Sequence, residues 1–371
     1  MNKVGLYLHV PFCGRKCRYC DFYSLEETEK RRAYADKVLS LLPLYRERLG
    51  DRAVDTVYIG GGTPSLLSPA SLEAILDGIR TQFTLTPDAE ITAEANPESL
   101  SGEVLAAYRS GGVNRVSLGM QSAHDGELAM LGRIHTAAQT KDAVARAHQA
   151  GFENISLDLM YALPDQTADS FFQSVDTAVS YGIQHLSLYC LTLSEKAPLY
   201  ARKDDLPDEE TQRAMYLGAV DRAEKAGLKQ YEISNFARPG FASRHNLRYW
   251  RREAYLGIGP GAWSYLDGER FGALPSLDRF LRAADPAELI GEREKVDRAV
   301  EIEEEIILSL RLTEGLSARR LAALAGEERA LAVMDRLAAL ESAGLTCRTK
   351  EGFRLTARGF FVSNRILADL I

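Results

Sequence analysis

The chain has 371 residues, with 45 Lys and Arg against 52 Asp and Glu, a net charge of −7 and a pI near 5.6. That balance excludes a general binder of nucleic acid or of anionic membrane, and the length suits one large domain plus a small one. Five cysteines in 371 residues do not make a secreted disulfide framework, no apolar run reaches transmembrane length, and residues 1–10 lack the apolar run and cleavage site of a secretory signal, so a cytoplasmic setting is expected.

Apolar, β-rich runs then alternate with helical patterns, which predicts βα units on a parallel sheet. Strands are expected over residues 4–9, 54–60, 90–94, 115–120, 155–160 and 185–189, and helices over 26–49, 69–82, 102–110, 137–150, 167–181 and 208–226. The loop after the first strand, His9-Val-Pro-Phe-Cys-Gly-Arg-Lys-Cys-Arg-Tyr-Cys-Asp-Phe-Tyr23, carries Cys13, Cys17 and Cys20 as C-x3-C-x2-C. Three thiolates from one loop can hold three corners of a cubane [4Fe–4S] cluster and leave the fourth iron without a protein ligand, which implies chemistry rather than simple electron carriage. A Cys3His zinc site using His9 fits less well, because zinc cysteines usually pair as C-x2-C with a second pair further on.

Polar groups stand at or just after all six strand ends: the cysteine loop, Gly60-Gly-Gly-Thr-Pro64, Glu94-Ala-Asn-Pro97, Gln121-Ser122, Asp158 and Tyr189-Cys190. A partial (β/α)6 barrel gathers such groups at one mouth, whereas a doubly wound sheet concentrates them at one switch point, so the barrel is the expected fold. Gly60, Gly61 and Gly62 let the backbone approach a ligand closely. Glu94 can accept from ribose hydroxyls, Arg133 can fork a carboxylate, and Asp158 can pair an ammonium, with Gln121 beside them.

Beyond residue 230 the pattern is irregular, with a basic aromatic stretch over 244–252, a Gly-rich run over 256–263 and a linker expected over 283–294. Three regions are expected: 1–235 as the cluster-bearing barrel, 236–290 as a connecting region, and 291–371 as a small winged-helix-like α+β domain. Arg319 and Arg320 are too sparse a patch for DNA, so a structural or docking role is expected for that last domain. Cys190 and Cys347 are expected to be buried small hydrophobes, and His9, His124, His135, His148 and His185 to be structural.

The cysteine spacing resembles the signature of the radical S-adenosylmethionine superfamily. Tyr7-Leu-His-Val-Pro-Phe-Cys13, Gly60-Gly-Gly-Thr-Pro64, Ser117-Leu-Gly-Met-Gln121, Leu131-Gly-Arg-Ile-His135 and Leu157-Asp-Leu-Met-Tyr-Ala-Leu-Pro164 resemble the oxygen-independent coproporphyrinogen III oxidases and their relatives over nearly the whole chain. The resemblance implies a [4Fe–4S] cluster on Cys13, Cys17 and Cys20, and S-adenosylmethionine held by Tyr7, Gly61, Gly62, Thr63, Glu94, Gln121, Arg133 and Asp158. The chain departs from the oxidases in two places: Phe22 stands where they carry a further Cys, and six residues precede Tyr7 in place of a long extension.

Both departures match the heme-chaperone branch of the family, the HemW type, as does His245-Asn246-x-x-Tyr249-Trp250, which resembles that branch's heme motif. The resemblance implies heme contact by those four residues, with His245 as an axial nitrogen and Arg244, Arg248, Arg251 and Arg252 pairing the propionates. The expected partners are heme and heme-accepting apoproteins, respiratory ones among them, with no nucleic acid and at most peripheral membrane contact. The competing expectation is a decarboxylating oxidase, in which a 5′-deoxyadenosyl radical abstracts a propionate hydrogen.

Overall fold

The computed structural model describes residues 3–371. Strands and helices alternate as β1 Lys3–Val10, α1 Arg31–Leu49, β2 Ala53–Gly61, α2 Pro69–Gln82, β3 Leu85–Ala95, α3 Gly102–Ser110, β4 Arg115–Gln121, α4 Asp125–Leu131, α5 Ala137–Gln149, β5 Ile155–Tyr161, α6 Ala168–Ser180, β6 His185–Cys190 and α7 Glu209–Lys225. Strands β1 to β6 are parallel and neighbours in chain order. A doubly wound sheet reverses its order partway; this one winds in a single direction, as a partial barrel does.

Helix starts follow their caps. Ser68, Ser101, Thr136, Thr167 and Asp208 each accept a backbone N–H of the first turn, and Thr136 with Gln139 forms a capping box. Helix α1 lacks such a side-chain cap and begins at Arg31 rather than residue 26, after a 3-10 turn at Thr28–Lys30. Strand β3 begins at Leu85 rather than residue 90. Helix α4 has too few turns to show a period in the sequence.

Side-chain alternation gives each strand two different faces. Val4, Leu6, Leu8 and Val10 of β1 join a hydrophobic cluster with Val57, Ile59, Ile91, Ala93, Val116, Leu118, Leu157 and Leu186, closed by helical residues such as Tyr34, Val38, Leu72 and Val144. The other face is polar. It carries Tyr7 and His9, Thr56 and Tyr58, Glu90, Thr92 and Glu94, Arg115 and Ser117, Ser156 and Asp158, and His185 and Ser187, most of them buried. Filled barrels use bulky apolar groups in this position; here the interior is built for hydrogen bonding.

The sheet continues at both ends. β7 Lys229–Gln230 and β8 Asn235–Ala237 extend it beyond β6, and after α8 Arg244–Trp250 the chain returns to pair β9 Tyr255–Ile258 in parallel with β1. β10 Trp263–Leu266, β11 Glu269–Ala273, α9 Leu277–Arg282 and β12 Ile290–Lys295 follow, making twelve strands. The stretch expected as a linker therefore includes an edge strand, whose charged, exposed side chains protect it from pairing with other chains. The remainder is α10 Arg298–Ser309, β13 Leu316–Ser317, α11 Ala318–Ala325, α12 Glu327–Ala339, β14 Thr346–Arg348, β15 Gly352–Leu355, α13 Ala357–Phe361 and α14 Ser363–Ala368. Its three-stranded sheet in the order β13-β15-β14 has the winged-helix arrangement.

Candidate functional site

The carboxyl ends of the barrel strands surround a cavity of about 690 Å³. Its lining includes Cys13, Cys17 and Cys20 from the loop after β1, Gly61 at the end of β2 with Gly62 and Thr63 after it, Glu94 from β3 and Asn96 just after it, Gln121 from β4, Arg133 after α4, Asp158 from β5, and Tyr189 and Cys190 from β6. Seven of the eight positions expected to hold S-adenosylmethionine therefore face one space. The eighth, Tyr7, lies deeper, its hydroxyl 3.0 Å from His9 Nδ1.

The cysteine loop is held by polar contacts on its sulfurs and its backbone. Thr63 Oγ1 donates to Cys13 Sγ at 3.7 Å, Arg133 Nη1 donates to Cys17 Sγ at 3.4 Å, and the Arg18 N–H donates to Leu131 O at 2.9 Å. Burial pushes the Cys13 and Cys20 thiols up, so their ionised forms call for a cation such as iron. Both ring nitrogens of His9 already have partners, Tyr7 Oη and Tyr23 O at 2.8 Å, so His9 could complete a zinc set only by giving up one of these contacts. Among the described residues no three His, Cys, Asp or Glu side chains close on a single ion.

Gly62 has to be glycine, because a Cβ there would lie 2.6 Å from Phe12 O and 2.9 Å from Val10 O, both backbone atoms of the cysteine-bearing segment. Glu94 accepts from Tyr58 Oη at 2.7 Å and from the Gly61 N–H at 3.1 Å, and burial pushes its carboxyl up to about 7 against those two bonds. Arg133 Nη2 donates to Asn96 Oδ1 at 2.6 Å and to Gly119 O at 2.7 Å, while Asn96 Nδ2 donates to Thr63 Oγ1 at 3.0 Å. Burial also raises the Asp158 carboxyl, whose Oδ1 lies 3.5 Å from Ser117 Oγ. Gln121 adopts φ 63°, a left-handed conformation that a non-glycine residue holds only where its surroundings demand it.

Asn96 is the residue that sequence reasoning left without a role; its signal was the Asn-Pro pair directly after a strand. Cys190 is exposed in the cavity, where a buried apolar position was expected, because β6 ends there and its neighbour Tyr189 is 42% exposed.

The residues expected to contact heme do not form an open face. His245 is 1% exposed and lies inside the barrel, with Nδ1 2.9 Å from Thr56 Oγ1 and Nε2 2.8 Å from Tyr249 Oη. Burial, then Arg248 and Arg115, lower its pKa to about 3. Asn246, Tyr249 and Trp250 are half-buried, and Arg311 stacks over the Trp250 ring. The arginines are paired within the protein: Arg244 with Asp55 and Asp88, Arg248 with Asp55 and Glu253, Arg251 with Glu314, and Arg252 with Glu301 and Glu305. Arg248 is itself buried, so the propionate role expected for it would require breaking its bond to Asp55.

A half-barrel with three loop cysteines at its mouth defines a radical S-adenosylmethionine protein, and the chain matches the Radical SAM superfamily over residues 7–178 and the HemN C-terminal domain over 296–362. The chain belongs to the HemW family: it is 38% identical to the heme chaperone HemW of Mycobacterium tuberculosis over 99% of this chain and 93% of that protein. It is 40% identical to the HemW of Lactococcus lactis, over 84% of this chain and 82% of the relative. The solved coproporphyrinogen III oxidase HemN of Escherichia coli has the same fold, with a TM-score of 0.85 at 22% identity, covering 100% of this chain and 90% of that one.

Proposed function

We propose that this protein is a heme chaperone that binds heme and delivers it to apoproteins, and that it carries a [4Fe–4S] cluster and S-adenosylmethionine. Family membership supports the heme reading. The observation that carries the cofactor reading is the convergence of six strand ends on one cavity with Cys13, Cys17 and Cys20 at its rim.

Cys13, Cys17 and Cys20 would hold three irons, and S-adenosylmethionine would complete the fourth through its amino and carboxylate groups. The cluster supplies, when reduced, the electron that can cleave S-adenosylmethionine. Glu94 would accept from the ribose hydroxyls with its remaining lone pairs, and Gly61 and Gly62 would let the backbone approach the ligand. Asp158 and Gln121 would orient the amino-acid moiety. Arg133 would place one cation beside both the Cys17 thiolate and the cofactor carboxylate.

For heme, the same mouth offers one exposed apolar side chain, Phe22, 64% exposed in the loop where the oxidases carry a further Cys, beside a half-buried Leu193 on the cavity wall, while Met160 and Leu191 are buried behind it. A porphyrin face would cover such a surface. Phe22 also removes a thiol from the loop, which favours the chaperone over the oxidase. Among the described residues no helix is long and apolar enough to cross a membrane. Anaerobic reconstitution followed by heme titration and transfer to a heme-free acceptor tests the reading; failure to bind heme with the cluster in place would refute it.

A further inference from the structure

We propose that His245 is a positioning residue for the S-adenosylmethionine site: with Thr56 and Tyr249 it forms the floor that sets Tyr58, and through Tyr58 the carboxylate of Glu94. This rests on the reading of Glu94 as the ribose acceptor.

The chain of contacts is continuous. Helix α8 closes the barrel interior from the amino-terminal side, where Ser243 Oγ caps it by accepting the Asn246 N–H, and the backbone N–H groups of Arg244 and His245 both donate to Glu90 at 3.2 Å. The i, i+4 spacing puts His245 and Tyr249 on one face, with ring centroids 5.0 Å apart and edge-on, and Tyr249 meets Tyr255 of β9 in the same way at 4.6 Å. The imidazole stacks on Tyr58 with centroids 5.3 Å apart and an angle of 28°. Tyr58 then reaches up the barrel to donate to Glu94 Oε1, while the Gly61 N–H holds Oε2. Each ring is fixed by the one beneath it, so displacement of His245 is transmitted to the carboxylate at the cavity.

The same geometry argues against iron ligation by His245. Either nitrogen would have to leave its partner, and the ring would have to leave its place between Thr56, Tyr58 and Tyr249. That would strand the hydroxyls of Thr56 and Tyr249 in the interior. Within the barrel, a neutral imidazole with one N–H and one bare nitrogen satisfies both hydroxyls. The paired cations Arg244 and Arg248 flank it on the same helix and anchor α8 to Asp55 of β2.

The test compares Tyr58→Phe, His245→Ala, His245→Phe and Glu94→Gln in cluster-reconstituted protein of verified circular dichroism, using S-adenosylmethionine affinity across pH and heme affinity. Tyr58→Phe keeps the ring stack and loses the donor, so affinity should fall about tenfold and its pH midpoint should move upward. His245→Ala should weaken S-adenosylmethionine comparably, His245→Phe less because it restores the stacking surface, and the Tyr58→Phe/His245→Ala double variant no more than the stronger single. Heme affinity should be retained in His245→Phe. Weaker binding in Glu94→Gln with none in Tyr58→Phe or His245→Ala overturns the floor alone. Unchanged binding in Glu94→Gln overturns the underlying reading of Glu94 as well. Loss of heme in both His245 variants, at unchanged S-adenosylmethionine affinity, restores the heme-ligand role instead.

Discussion

Arg133 and Cys17 are joined by one guanidinium N–H at 3.4 Å, and the other arm of the same guanidinium reaches Asn96 and Gly119. Helix α4 makes this possible: Gly132 ends it with φ 78°, turning the chain so that Arg133 enters the cavity rather than solvent. The cation therefore belongs to the cysteine loop and to the strand ends at once. Arg133→Lys keeps the charge but not the fork. Its expected effect is a loss of about 10- to 150-fold in S-adenosylmethionine affinity, the range for one charge-assisted hydrogen bond of roughly 1.5–3 kcal/mol, with cluster iron retained. Calorimetric titration beside iron analysis checks it.

The proposed cluster would depend on three sulfurs. Cys13→Ala, Cys17→Ala and Cys20→Ala should each lose most of the iron and sulfide after anaerobic reconstitution, while Cys190→Ala and Cys347→Ala should keep both. Cys190 is the sharper control, because it is exposed in the same cavity and would be the sulfur to contribute if the loop assignment failed.

Much of this arrangement is legible in the sequence because it follows from short-range rules. Caps at Ser68, Ser101 and Thr136 fix where helices begin, and polar residues at the ends of apolar strands mark one mouth. What escaped has long-range causes. The surroundings of His245 are set by Thr56 and Tyr58, almost two hundred positions earlier in the chain, and nothing in a basic aromatic stretch reveals that its histidine turns inward while its arginines find carboxylates on other elements. Strands β9 to β12 escaped because pairing to a sheet edge, rather than their own pattern, makes such short segments strands.

Glu94 gives the site a pH dependence. Its carboxyl, raised to about 7 by burial, faces Tyr58, Asp158 and Arg115, with Tyr7 and Tyr108 close by. Ribose hydroxyls donate best to the ionised form, so S-adenosylmethionine affinity should be flat above pH 7 and fall up to tenfold per unit below it. Glu94→Gln should bind weakly and without that slope. A titration series between pH 6 and 8.5 reads both.

His245 predicts acid sensitivity of the fold. Its folded-state pKa near 3 lies below the ordinary 6.5, so the unfolded chain takes up the proton first and stability is lost as pH falls below 6.5. About 1.4 kcal/mol per pH unit makes this roughly 2 kcal/mol between pH 6.5 and 5. Denaturant midpoints at those two pH values should differ more for the wild type than for His245→Asn, and an equal difference would show that the imidazole is not buried neutral.

A heme chaperone handles heme and does not oxidise its precursor. One anaerobic preparation carrying cluster, S-adenosylmethionine and reductant, given coproporphyrinogen III in one vessel and heme with a heme-free acceptor in another, decides it. Heme should be bound and passed to the acceptor with no protoporphyrinogen IX formed; multiple turnovers to protoporphyrinogen IX without heme transfer would instead identify an oxidase.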